Sequence, residues 1–114
     1  MKNKAYILTL IAYPVLLLAG CTLPDAQKEA AQPASHTVFI NQMAFSPAEL
    51  TVRKGDTITW INQDMVEHNV TEAATKAWHS PTLPRGGSWS LVASAPAAYL
   101  CTIHPGMKGH IAVQ

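Results

Sequence analysis

A thiol, an imidazole and a thioether recur at three-residue intervals near the end of the chain, at Cys101, His104 and Met107. The apolar run 97–100 precedes them and the apolar run 111–113 follows them, so we expect a loop between two strands. Soft sulfur beside imidazole suits copper, and two histidines, one cysteine and a weak axial methionine form the blue-copper arrangement. The spacing therefore predicts a copper-binding loop that supplies three of the four ligands.

The remaining ligand must be a histidine from elsewhere in the chain, because the loop contains only one. His68 lies at the boundary between a polar loop and a new extended run. The other candidates are His36, His79 and His110. Spacing alone does not choose among them, because only folding brings a distant histidine to the loop.

Short segments of alternating apolar and polar residues fill most of the chain before the loop. We expect extended segments over 36–40, 49–52, 56–62, 69–75 and 88–91. Val38 and Ile40 share one face of the first segment, and Ile58 and Trp60 share one face of the third. Turn residues recur about every 8–12 positions and helical periodicity is missing, as is typical of an all-β sandwich. We therefore predict an all-β fold with antiparallel strands.

The beginning of the chain has the pattern of an export signal. Lys2 and Lys4 precede an apolar run, 5–19, whose length fits a signal peptide better than a membrane span. The run ends in Leu18-Ala19-Gly20-Cys21, which is similar to a bacterial lipobox. Cys21 would then be the lipidated first residue of the mature protein. The alternative is an ordinary secretory signal followed by an incidental cysteine.

We predict three parts for the chain: a lipoprotein signal peptide at 1–20, a lipidated cysteine and flexible tether at 21–35, and a folded domain at 36–114. The tether lacks hydrophobic periodicity and contains two prolines. The domain is small enough that metal binding should add to its stability. We expect the lipid to hold it at a membrane, on the periplasmic or extracellular side.

Charge and cysteine content limit the possible partners. Removal of 1–20 leaves six basic and seven acidic residues, a formal charge of −1, which indicates neither nucleic acid nor an anionic membrane surface as a partner. If Cys21 carries lipid, Cys101 has no second cysteine for a disulfide. A thiol in an exported protein is then expected to be buried or bound to a metal.

The sequence resembles the cupredoxins, the type 1 blue copper proteins, and most of all their amicyanin, pseudoazurin and plastocyanin group. The resemblance runs from Phe39 to Gln114 and includes the run Phe45–Asn62, the triplet His68-Asn69-Val70 and the pattern Tyr99-x-Cys101-x-x-His104-Pro105-x-Met107-x-Gly109. It implies a Greek-key β-sandwich of about seven to eight strands. Two features depart from the family: Glu67 stands where several relatives have proline, and the corner 93–96 lacks the usual acidic residue and glycine.

The resemblance also implies a role for each site residue. It selects His68 as the second histidine ligand, beside Cys101 as thiolate, and it makes Met107 the weak axial ligand. His104, in the loop, would present its far edge to the surface, where electrons enter and leave. Asn69 would tie the two ligand-bearing loops together and hydrogen-bond near the thiolate, as residues around a metal site do.

The expected function is that of a monomeric single-electron carrier with one copper ion, acting between a donor and an acceptor redox protein outside the cytoplasmic membrane. Enzymatic turnover is not expected, because the remaining histidines are too scattered for a second copper centre. The main alternative is a copper-carrying or copper-buffering lipoprotein. A third hypothesis is an anchored interaction module whose copper is structural.

Overall fold

The computed structural model describes residues 11–16, 19–21 and 31–114, which fall into two units, 1–30 and 31–114. The described residues of the first unit have no regular secondary structure. The signal peptide and the tether lie mostly outside the described residues, so their assignment stays a prediction. Within the described ranges, no helix is long and apolar enough to cross a membrane.

Residues 31–114 form eight strands in two sheets. The strands are β1 (Ser35–Asn41), β2 (Ala44–Ser46), β3 (Glu49–Val52), β4 (Thr57–Asn62), β5 (Thr71–Glu72), β6 (Ser88–Val92), β7 (Ala97–Cys101) and β8 (His104–Val113). One sheet has the order β2-β1-β4-β6 and the other the order β3-β8-β7-β5. The described chain is therefore an all-β sandwich, which confirms the predicted fold class and strand number.

The core lies between the two sheets. Val38, Ile40, Ile58 and Trp60 are fully buried on the inner faces of β1 and β4, as the alternation predicts. From the other sheet, the ring of Tyr99 packs edge-on against Trp60 at 5.4 Å between ring centroids. Burial of each large apolar side chain contributes about 1.5–3 kcal/mol, so these contacts hold the sheets together.

The prediction of antiparallel pairing is wrong for two strand pairs of the described chain. β1 pairs with β4 in parallel, and β3 pairs with β8 in parallel. After β2 the chain passes to the other sheet as β3 and returns as β4, which then runs beside β1 in the same direction. Side-chain alternation has the same period in parallel and antiparallel strands, so the pattern does not reveal strand direction.

β5 is shorter than the predicted segment 69–75 because Glu72 starts a turn. Its carboxylate accepts hydrogen bonds from the backbone N–H groups of Thr75, Ala74 and Ala77 at 2.7, 2.9 and 3.3 Å. The bonds from Thr75 and Ala74 hold the pKa of Glu72 at about 2. The chain therefore leaves the sheet after two residues.

Gly109 faces Tyr99 across the β7–β8 pair, and the phenol ring leaves no room for a side chain there. A Cβ atom at residue 109 would overlap the ring, whereas a Cβ at Gly106 would meet nothing within 4 Å. We expect Gly109→Ala to lower the free energy of unfolding by about 1–3 kcal/mol through overpacking. Denaturant unfolding measures this loss, with Gly106→Ala as the matched control. Equal stability of the two variants would contradict the packing of Tyr99 on Gly109.

Candidate metal centre

A tight hairpin brings Cys101 and His104 together. Cys101 ends β7, His104 begins β8, and the two are paired across a turn made of Thr102 and Ile103. The prediction that His104 lies in a loop is therefore wrong, because the turn is only two residues long and β8 starts at the histidine itself. His104 is still partly exposed, while Cys101 is buried.

His68 reaches the same place from a separate part of the chain. Its backbone pairs with that of Leu83, with hydrogen bonds of 3.2 and 2.7 Å between them. The side chain of Asn62, at the end of β4, donates from Nδ2 to the carbonyl oxygens of Val66 and of Leu83 itself. The imidazole of His68 is fully buried. These hydrogen bonds therefore fix the position of the His68 backbone, and none of them involves a metal.

The three predicted strong ligands converge. Nδ1 of His68 lies 3.2 Å from Nδ1 of His104, and each of these atoms lies 3.8 Å from Sγ of Cys101. Metal–nitrogen bonds of about 2.05 Å and a metal–sulfur bond of about 2.3 Å in a trigonal plane separate the ligand atoms by roughly 3.5 and 3.8 Å. The observed distances are close to these values. The donor set and its geometry therefore fit a first-row ion such as copper.

Met107 lies in β8, three residues after His104, and its side chain is buried. The other histidines have partners outside the cluster. His36 bonds to the carboxylate of Asp56 at 2.8 Å, the His79 ring contacts the carbonyl oxygen of Ser80, and His110 lies 3.6 Å from Glu49. Among the described residues, only His68, Cys101 and His104 form a cluster of His, Cys and acidic groups able to hold a metal.

Asn69 bridges the two segments that carry these residues. Its Nδ2 donates to Oγ1 of Thr102 at 2.6 Å, and its Oδ1 accepts from the backbone N–H of Thr102 at 3.0 Å. Its own backbone N–H points at Sγ of Cys101, 3.4 Å away. A hydrogen bond to the sulfur stabilises the thiolate form that binds a metal.

Asp64 is a site residue that the sequence did not reveal. Its Oδ2 lies 2.8 Å from Nε2 of His68, on the side of the ring opposite the cluster. Burial opposes the charge of this carboxylate, but hydrogen bonds from Met43, His68 and Gln42 outweigh it and hold the pKa of Asp64 below its usual value. A carboxylate four residues before a histidine carries no signal outside a helix, because loops have no fixed period.

Comparisons with known proteins place the chain among copper proteins. The profile of copper binding proteins of the plastocyanin/azurin family matches residues 33–82. Amicyanin-alpha of Methylorubrum extorquens is 31% identical over 121 residues, covering all of both chains. Amicyanin of Paracoccus denitrificans is 36% identical over 100 residues, covering 80% of this chain and 73% of its own.

The solved structures agree with the sequence relatives. A Cu(I) amicyanin variant superimposes with a TM-score of 0.66 at 32% identity. The match covers 70% of this chain and 82% of that one. The similarity therefore extends over most of the sandwich, not only the hairpin with the cysteine.

Proposed function

Since the chain belongs to the cupredoxins, the plastocyanin/azurin family of copper-binding proteins, and is a type 1 copper electron carrier rather than an enzyme, we propose that it shuttles single electrons between redox proteins outside the cytoplasmic membrane. Membership of the family confirms copper as the cofactor. The convergence of two imidazole nitrogens and one thiol within bonding range of a single ion is the observation that carries this proposal.

We assign the strong ligands to His68, Cys101 and His104, and the weak axial ligand to Met107. Bound copper supplies the Cu(I)/Cu(II) couple. The chain's own part is to hold these side chains in fixed positions and to exclude water. His68 and Cys101 are fully buried and Met107 is 5% exposed, whereas His104 is partly exposed. The shortest route for an electron from a docked protein therefore passes through the imidazole of His104.

Electron transfer and copper buffering make different demands on this site, and one experiment separates them. The copper-loaded protein is mixed with a one-electron donor and then an oxidant, and in parallel with a mild copper chelator. An electron carrier undergoes repeated reduction and reoxidation and keeps its metal during the exchange. Rapid loss of copper to the chelator without redox cycling would instead support a copper-carrying protein.

Met107→Gln tests the axial assignment. Because the axial ligand tunes the copper site and does not hold the metal alone, we expect this variant to keep copper and to shift its reduction potential. Met65→Gln is the matched control, since Met65 is an exposed methionine outside the proposed ligand set. Cyclic voltammetry of both variants measures the shift. Complete loss of copper from Met107→Gln would show that the thioether is a principal ligand.

We further propose that lipid on Cys21 tethers the domain to a membrane on its periplasmic or extracellular side. The support is the lipobox-like sequence 18–21, and Cys21 is exposed in the described chain. Cys21→Ser should give a chain without lipid, either retained by its uncleaved signal or released in soluble form. Membrane fractionation and metabolic lipid labelling measure this. Normal fractionation together with normal labelling of the variant would contradict lipidation at Cys21.

A further inference from the structure

The carboxylate of Asp64 joins two parts of the chain that are far apart in the sequence. Its Oδ1 accepts a hydrogen bond of 2.7 Å from the backbone N–H of Gln42, and its Oδ2 accepts one of 3.0 Å from that of Met43. The same Oδ2 lies 2.8 Å from Nε2 of His68. One side chain therefore contacts both the turn between β1 and β2 and a buried imidazole of the metal centre.

The turn at 42–43 has a backbone that its own residues do not favour. Gln42 and Met43 have φ angles of 52° and 60°, and Asn41 pairs with Ala44 directly across them. Two-residue hairpin turns with both φ angles positive favour Asn and Gly, because other side chains meet steric opposition in this region. The carboxylate accepts both N–H groups of the turn and so offsets part of this opposition.

The other end of the contact sets the state of the His68 ring. An ionised carboxylate only accepts hydrogen bonds, so the proton shared with Asp64 belongs to Nε2 of the imidazole. Nδ1 of the neutral ring then carries the lone pair. This is the atom that lies 3.2 Å from Nδ1 of His104 and 3.8 Å from Sγ of Cys101. Carboxylates bonded to ligating histidines fix ring orientation and tautomer in this way.

We propose that Asp64 is a positioning residue for the copper centre and that it couples the β1–β2 turn to the buried ligand His68. The turn holds the carboxylate, and the carboxylate holds the imidazole with Nδ1 toward the metal. Coupling between two sites is reciprocal, so metal binding at His68 also stabilises the turn at 42–43. The inference rests on the proposed ligand role of His68. It adds the turn at 42–43 to the parts of the chain that shape the metal centre, and the spacing of the ligands in the sequence does not identify this turn.

Asp64→Asn tests the proposal, with Glu72→Gln as the matched control. Both carboxylates accept several backbone N–H groups of a turn, and both variants remove one negative charge with little change of shape. Glu72 bonds within the turn 73–77, away from the ligand cluster, whereas Asp64 bonds to His68. Stability measurements on both variants give the cost of losing turn structure. A loss of metal affinity in Asp64→Asn alone is then an effect on the metal centre.

The two variants should differ in metal affinity and in the tautomer of the His68 imidazole. Asp64→Asn should lose roughly 10- to 100-fold in Cu(II) affinity, the usual effect of removing a hydrogen-bond partner of a ligand, while Glu72→Gln should keep the parent affinity. The ¹⁵N chemical shifts of the metal-free full chain should show His68 protonated at Nε2. In Asp64→Asn the two tautomers should both be populated.

Hydrogen exchange tests the connection to the turn. In the full chain, loading with Zn(II) should slow exchange of the amide protons of Gln42 and Met43, and in Asp64→Asn it should not. Equal affinity loss in the two carboxylate variants, or an unchanged His68 tautomer in Asp64→Asn, would overturn the positioning role. Unchanged exchange at 42–43 on Zn(II) loading would overturn the coupling. The Zn(II) and metal-free measurements need no redox activity, so they stand apart from the test of electron transfer.

Discussion

Cys101→Ser should abolish the intense visible absorption expected of the copper-loaded protein and should leave a chain that still folds. The absorption of a type 1 centre arises from the thiolate–copper bond, and a hydroxyl does not supply that bond. The substitution replaces sulfur by oxygen and changes the volume little. The backbone N–H of Asn69, now 3.4 Å from the sulfur, points at the position of the new hydroxyl. The fold therefore keeps most of its local contacts while the thiolate is lost.

Absorption spectra of the copper-loaded variants, recorded beside circular dichroism to monitor the fold, measure this effect. Cys21→Ser is the control, because it removes the other cysteine and leaves the cluster intact. We expect it to keep the full visible band. An intense band that persists in Cys101→Ser would disprove the assignment of the thiolate.

His68→Ala should reduce copper affinity by more than the approximately 100-fold that loss of a ligand's hydrogen-bond partner costs at most in typical sites. The variant removes one of three strong donor atoms, and it also removes the group to which Asp64 bonds at 2.8 Å. A cavity forms at a fully buried position, so the free energy of unfolding should fall as well. Copper titration followed by absorption spectroscopy measures the affinity, and denaturant unfolding measures the stability.

The competing histidines provide the controls for this prediction. His36→Ala, His79→Ala and His110→Ala should each keep the type 1 spectrum, because these rings bond or lie next to Asp56, Ser80 and Glu49 and not to the cluster. The comparison distinguishes the loss of a copper ligand from the loss of a histidine side chain elsewhere in the domain. A type 1 spectrum that survives in His68→Ala but disappears with any of the other three would reassign the buried ligand.

The proposed site residues that lie close together in the chain follow from the sequence pattern alone. Cys101, His104 and Met107 follow one another at fixed spacing, so their identity suggested a metal before any folding was considered. His68 lies 33 residues before Cys101, and only the resemblance to a family selected it from the other histidines. The structure then brings its Nδ1 to 3.8 Å from the sulfur. Long-range pairing of this kind depends on sheet topology, which local patterns do not specify.

Three features escaped prediction for definable reasons. Side-chain alternation in β1 and β4 located the core but did not reveal that the two strands are parallel. The hairpin at His104 turns in two residues, so the histidine begins a strand and does not lie in a loop. Asp64 acts through its contacts with Gln42, Met43 and His68, and those contacts exist only after folding.

A spectroelectrochemical titration of the copper-loaded protein tests directly whether it is a type 1 copper electron carrier. A type 1 centre formed by the proposed four ligands gives one intense visible band that disappears on uptake of a single electron and returns on reoxidation, through many cycles and with one copper ion per chain. Copper bound without that band, or a band that does not return because the metal leaves on reduction, would contradict an electron carrier built on His68, Cys101 and His104.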